Sequence, residues 1–140
     1  MPSYEVQDTL VDSNVLIDVI SGDPAWEAWS AQALARAASA GRVAINATIY
    51  AEVSIGFTRI ESLESALDEL RLARLALPWP AAFLAGKAFL EYRRRGGERR
   101  SPLPDFFIGA HAAVAGMRLL SRDSTRYRAY FPSLDLICPG

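Results

Sequence analysis

What most constrains this chain is the brevity of its apolar runs and the regularity with which helical stretches separate them. Thr9-Leu10-Val11 is stopped at once by Asp12-Ser13-Asn14. Arg42 to Asn46, Met117 to Ser121 and Leu134 to Cys138 are the other candidate strands. Short strands alternating with helices pack as parallel strands in one sheet, with right-handed crossovers and helices on both faces. The predicted fold class is therefore α/β, a three-layer sandwich around a central parallel sheet. Its 140 residues, with no internal repeat and no long linker, make a single domain.

The helices are marked by their ends. Val15 to Ile20 reads as a first helix closed by Gly22, and Asp23-Pro24 restarts the chain with an N-cap and a first-turn proline. An alanine-rich helix then runs from Ala25 to Ala40. Thr48 is the expected cap of a helix reaching toward Phe57. Leu63, Leu67, Leu70 and Ala73 repeat at helical spacing, and Leu77-Pro78-Trp79-Pro80 breaks that helix. Another helix spans Ala81 to about Arg95 and stops at Gly96-Gly97, and Arg99-Arg100-Ser101-Pro102 reads as a loop. Pro104-Asp105 opens a nearly all-apolar helix that ends at Gly116.

Composition narrows the chemistry. The chain is 51% hydrophobic and 22% charged, enough apolar matter for one core, and its net charge of −1 rules out a generally basic nucleic-acid surface. A single cysteine, Cys138, excludes an intramolecular disulfide and a cysteine-cluster zinc site. A single histidine, His111, excludes paired-histidine chemistry, so any metal must be held by oxygen. No apolar run approaches the roughly 18 residues that span a bilayer. Met1 to Leu10 lacks the basic start and apolar centre of a secretion signal, so a cytoplasmic location is expected.

In open parallel sheets, functional groups gather at the carboxyl ends of the strands. Asp12 follows the first strand and Asp123 the third. Asp105 opens the apolar helix that leads into the third strand, and Glu52 lies inside the apolar stretch Ile49 to Phe57. Singly, the aspartates have structural explanations. Asp12 suits an N-cap, Asp105 a helix first turn, and Asp123 a turn before Ser124-Thr125. Glu52 resists one, because a carboxylate among apolar side chains is costly unless it is paired or bound to a cation. Carboxylates gathered without basic partners repel one another, and Mg²⁺ or Mn²⁺ is the natural counter-ion for an all-oxygen set.

The series also resembles the PIN-domain family. Leu10-Val11-Asp12-Ser13-Asn14-Val15-Leu16-Ile17-Asp18 is similar to the family's opening D-x-N motif, and Glu52 stands in the place of its second acid. Pro104-Asp105-Phe106-Phe107-Ile108-Gly109-Ala110 and Ser121-Arg122-Asp123 resemble the third and fourth. Ser13 and Ser121 stand where threonine is frequent; both keep the hydroxyl. The match extends from about Thr9 to Ile137, and a single-domain chain of this length most resembles VapC-type toxins, the ribonuclease halves of toxin–antitoxin pairs. The resemblance implies a Mg²⁺-dependent endoribonuclease with Asp12, Glu52, Asp105 and Asp123 as catalytic acids and one or two metals. Asp12, Asp105 and Asp123 are the implied ligands, and Glu52 either binds metal or orients water. Asn14 and Ser121 are implied to steady the carboxylates. RNA substrate, a cognate antitoxin and a homodimer follow from the same resemblance. The antitoxin is expected against helices carrying Tyr50, Ile55, Phe57, Leu63 and Leu67, where an inserted cation would compete for the acids.

Five arginines fall between Arg93 and Arg100. They read either as a solvated helix end or as an RNA backbone clamp that includes Arg94, Arg95, Arg99 and Arg100. Arg122 and Arg126 flank Asp123 within reach of a phosphate. His111 reads as a hydrogen-bonded core residue, Asp18 as a helix-end or surface residue, and Trp26, Trp29 and Trp79 as core or interface anchors. A haloacid-type phosphatase also places Asp after its first strand, but many want a second Asp where Asn14 stands and a late lysine where this chain has only Lys87. A PIN-like module that binds RNA or protein without cleaving is the remaining alternative.

Overall fold

The computed structural model describes residues 7–98 and 103–140. Five parallel strands form one sheet: β1 (Thr9–Val11), β2 (Val43–Ile45), β3 (Ala73–Arg74), β4 (Arg118–Leu120) and β5 (Leu136–Ile137), in the order β3-β2-β1-β4-β5. Leu10 pairs with Ala44 on one side and Leu119 on the other. β1 and β2 are wholly buried, hence their unbroken apolar character in place of alternation. Seven helices flank the sheet among the described residues: α1 (Ser13–Ser21), α2 (Glu27–Ala40), α3 (Ala47–Ser54), α4 (Ile60–Leu70), α5 (Trp79–Arg94), α6 (Leu103–Ala115) and α7 (Thr125–Tyr130). None of them is long and apolar enough to cross a membrane.

The chain winds outward from β1 in one direction and from β4 in the other. The order therefore reverses between these neighbours, and a crevice opens beyond their carboxyl ends. α1 starts directly at Asp12 and closes at Gly22, whose left-handed conformation (φ 68°) needs a residue without a side chain. α6 is apolar all round because it is central: Phe106, Ile108, Gly109, Ala110, His111 and Ala112 are all buried. His111 is indeed a packed core residue. Its Nδ1 lies 3.0 Å from the Asn46 side-chain amide, whose Oδ1 accepts from the Ile49 amide at 2.9 Å. The amide therefore donates to Nδ1, and burial holds the imidazole below its ordinary pKa, in the neutral form.

Several boundaries differ from those predicted. Asn46, not Thr48, caps α3. Asp23 accepts from the amides of Ala25 and Trp26 in a turn, and α2 proper begins at Glu27. The helix predicted through Ala73 stops at Leu70, where Arg71 turns left-handed (φ 53°). Ala73 and Arg74 then form edge strand β3 beside Ala44 and Ile45. A strand of two residues carries no periodicity to read, and the six-residue α7 is equally silent.

α7 reaches the core because Gly109 lets it approach. A Cβ at Gly109 would stand 2.6 Å from Phe131 Cε2 and 3.1 Å from Tyr127 Cδ1, both in buried rings with no room to retreat. Gly109→Ala is expected to destabilise the fold by about 1–3 kcal/mol through overpacking, read as a lower urea midpoint. An unchanged midpoint would show that α7 can shift without cost.

Candidate active site

The site is built outward from Asp12. β1 continues one residue past its last strand position, and the Asp12 amide donates to Leu120 O at 2.8 Å before the chain enters α1. Asp12 caps that helix, its Oδ1 accepting from the Ser13 amide at 2.8 Å, as its position after β1 suggested. Its Oδ2 accepts from Ser121 Oγ at 2.8 Å and from the Tyr127 hydroxyl at 2.9 Å. Only 3% of the residue is exposed. Burial pushes the Asp12 carboxyl above its ordinary pKa, the Ser121 and Tyr127 bonds oppose that shift, and the charge of Asp105 adds to it.

Ser121, directly after β4, organises the crevice. While its hydroxyl donates to Asp12, it accepts from the Asn14 side-chain amide at 3.3 Å and from the Asp123 backbone at 3.1 Å. Asn14 Oδ1 in turn accepts from the Arg122 amide at 3.2 Å, which ties the turn after β4 to α1. The structure thus brings Asn14 and Ser121 into contact and sets Ser121 against Asp12.

Glu52 is half-buried on α3, with Oε1 accepting from Ser13 Oγ at 3.0 Å. Burial raises its pKa, and the charges of Asp12 and Asp105 raise it further. Asp105, in the first turn of α6, is raised by burial and by Asp123 but held back by Arg126, whose Nη1 donates to Oδ2 at 2.7 Å. Asp123 is exposed and its Oδ1 accepts from the Thr125 amide at 3.3 Å, the turn contact its sequence position suggests. The acids therefore face one crevice and feel one another's charge. Among the described residues, no three acidic, histidine or cysteine side chains converge closely enough to enclose an ion. By donor chemistry the set fits a hard divalent cation: every ligand is oxygen, and Arg126 is the one cation paired with these four acids among the described residues.

Other placements depart from expectation. Asp18 is neither exposed nor terminal. It is 1% exposed, bonded to Ser30 Oγ at 2.7 Å and to Arg122 through Nε at 2.6 Å and Nη2 at 3.1 Å. Arg122 is thereby committed to α1, and its guanidinium carbon lies 5.0 Å from the Trp26 ring centroid. Arg94 is exposed at the end of α5. Arg95 pairs with Glu91 at 3.1 Å and lies over Tyr130, as a helix-end residue would. Arg99 and Arg100 fall outside the described residues. Trp26 and Trp29 pack edge to face, whereas Trp79 is 88% exposed.

The expected antitoxin wall also changes. Leu63 and Leu67 are core residues, and the Tyr50 hydroxyl is spent on Glu64 at 2.7 Å. Ile55 and Phe57 do line an apolar groove of about 570 Å³, opposite Ile17 and Ile20 of α1, and Glu52 and Ser13 stand in its wall. Tyr127 and Ser13 are the site residues the sequence did not reveal. The Ser13 hydroxyl is visible inside the first motif but its partner is not, and Tyr127 lies on a helix too short to detect.

The PIN-domain family model matches residues 9–132, and the chain belongs to the PIN-domain family. No curated protein sequence matches it significantly. Its fold is similar to that of VapBC2 from Rickettsia felis bound to a DNA fragment from its promoter, with a TM-score of 0.69 at 19% identity over 95% of this chain and 99% of that one. VapBC-1 from nontypeable Haemophilus influenzae gives a TM-score of 0.71 at 18% identity, covering 94% and 97%. A toxin–antitoxin complex from Klebsiella pneumoniae gives 0.62 at 23%, covering 92% and 95%.

The raised Asp12 carboxyl has a sign that can be tested. A folded-state pKa above the ordinary value means the folded chain holds its proton more tightly. Stability is then lost as pH rises through that folded pKa and is fullest below the ordinary one. Asp12→Asn removes the charge and keeps an oxygen for Ser121 and Tyr127 while giving up the bond from the Ser13 amide. In chelator at neutral pH the variant should melt at or above wild type, with the gap closing as pH falls into the carboxylate range. Lower melting of the variant throughout would mean that the hydrogen bonds outweigh the burial.

Proposed function

We propose that this chain is a Mg²⁺- or Mn²⁺-dependent endoribonuclease and the toxin of a type II toxin–antitoxin pair, acting on cellular RNA in the cytoplasm. The observation that carries this reading is the placement of Asp12, Glu52, Asp105 and Asp123 around the β1/β4 crevice of a PIN-domain chain, with Asp12 and Glu52 raised by the charge of Asp105 and Asp105 by that of Asp123. Asp12, Asp105 and Asp123 would hold the cation, and Glu52 stands beside them. A bound divalent ion would activate a water and offset charge building on the phosphate. The rest falls to the protein. Ser121, Tyr127 and Ser13 fix the Asp12 carboxylate so that it need not reorganise. Ser13 Oγ orients Glu52, whose raised pKa suits it to take a proton from an attacking water. Arg94, Arg95, Arg99 and Arg100 are the proposed contacts to the RNA backbone.

A cleavage assay separates the alternatives. Wild type is expected to cut RNA only with divalent metal, and Asp12→Asn, Asp105→Asn and Asp123→Asn should each lower the rate by at least about a hundredfold, the scale of losing a catalytic charge. A wild-type rate in any one variant removes that residue from the site. Absence of cleavage by folded, metal-loaded protein would favour a binding module. Turnover of a phosphate monoester would favour the phosphatase, although Asn14 is occupied with Ser121 and Lys87 lies over Phe83.

Partners follow from the surface. VapBC complexes among the similar structures support an antitoxin, and the groove between Ile17, Ile20, Ile55 and Phe57 is its proposed seat, ending at the acids where a basic side chain can pair. A homodimer is proposed on α5, where Trp79, Phe83 and Leu90 expose 88%, 69% and 40% of their surface. These residues recur at helical spacing around Gly86, which has nothing near its missing Cβ. Trp79→Ser with Phe83→Ser should give a monomer by light scattering while leaving the melting temperature close to that of the parent. A parent that is itself monomeric at high concentration would remove this seam.

A further inference from the structure

Two arginines four residues apart, Arg122 in the turn after β4 and Arg126 on α7, each pair with an acid, and the pairs differ in kind. Arg122 grips Asp18 through two nitrogens, and the two side chains are 30% and 2% exposed. Arg126 meets Asp105 through Nη1 alone, and the two side chains are 34% and 27% exposed. The first pair is anchored on a buried acid. The second lies at the rim of the acidic crevice, within reach of solvent, on one oxygen of the Asp105 carboxylate. Arg126 is also next to Tyr127, which donates to Asp12, so α7 places a hydroxyl and a guanidinium into the acid cluster from adjacent positions.

We propose that Arg126 is an exchangeable internal counter-ion for Asp105, and that a divalent metal ion and the Arg126 guanidinium compete for that carboxylate. This rests on the reading of the crevice as a metal site. A single-point ion pair between partly exposed groups is weak enough to be displaced, whereas a two-point pair on a buried carboxylate is far harder to open. Competition also accounts for the geometry: with one oxygen of Asp105 turned to Arg126, three acids do not converge. The guanidinium thus sets a threshold, and the acids gather only when the cation is abundant enough to displace it.

The test is Mn²⁺ binding alone, by calorimetry or by loss of the free-ion paramagnetic resonance signal, on chelator-stripped full-length chain without RNA. Arg126→Gln should bind Mn²⁺ about fivefold more tightly than wild type, the upper scale of a partly exposed ion pair. Arg126→Lys should fall between them. Arg128→Gln removes the same charge two residues along α7 and should stay within about twofold of wild type, which separates competition at Asp105 from a general field effect. Unchanged or weaker affinity in Arg126→Gln, with wild-type and Arg126→Lys affinities also equal, overturns the inference while leaving the metal site standing. An equal gain in Arg128→Gln also overturns it. If neither wild type nor Arg126→Gln binds Mn²⁺, the metal reading fails and this inference fails with it.

Discussion

The Asp12 carboxylate, buried at the point where the strand order reverses, is the constraint on which the rest of the structure depends. A charge in such a place is tolerated only if its oxygens are satisfied. The donors come from far apart in the chain: Ser13 from the start of α1, Ser121 from the end of β4, and Tyr127 from α7. Each segment is fixed by giving a hydrogen bond to the same side chain. The parallel pairing of β1 with β4 is thus reinforced beyond its last backbone bond, and the crevice inherits its shape from that convergence.

The hydrogen bonds hold Asp12 in one orientation but do not neutralise it, and the neighbouring acids work against it. Burial and mutual repulsion raise Asp12, Glu52 and Asp105 together, so the fold tolerates an arrangement that costs stability in the absence of a cation. That cost is spread over three elements, each anchored by apolar burial elsewhere. α6, the most apolar helix described, carries Asp105 at its half-buried end while its middle turns fill the core. Rigidity under the site and frustration within it are compatible because different residues supply them.

Much of this was legible in the sequence. The apolar runs at Thr9, Val43 and Arg118 gave the parallel strands because buried strands need no alternation. The acids stood out because they interrupted those runs. The one-turn elements were illegible: β3 is defined by its partner Ile45 rather than by its own residues, and α7 by the space that Gly109 leaves. Asp18 was misjudged for a related reason. Its setting depends on Arg122, more than 100 residues later, and no local pattern announces such a partner. Charges near the site were visible in sequence, but their pairing was not.

The turn after β4 is attached to α1 at two places, through the Arg122 backbone to Asn14 and through the Arg122 side chain to Asp18. Asn14 and Asp18 are four residues apart, so they lie one above the other on a single helix face, and one residue grips successive turns. Two attachment points define an axis where one would leave a pivot. The helix pitch therefore serves as a gauge: sliding α1 by a single position would rotate both grips out of reach together. Asp12 and Asp123, which lie at opposite ends of this clasp, are held in mutual register by a length that belongs to the α-helix itself and owes nothing to the chemistry of either acid.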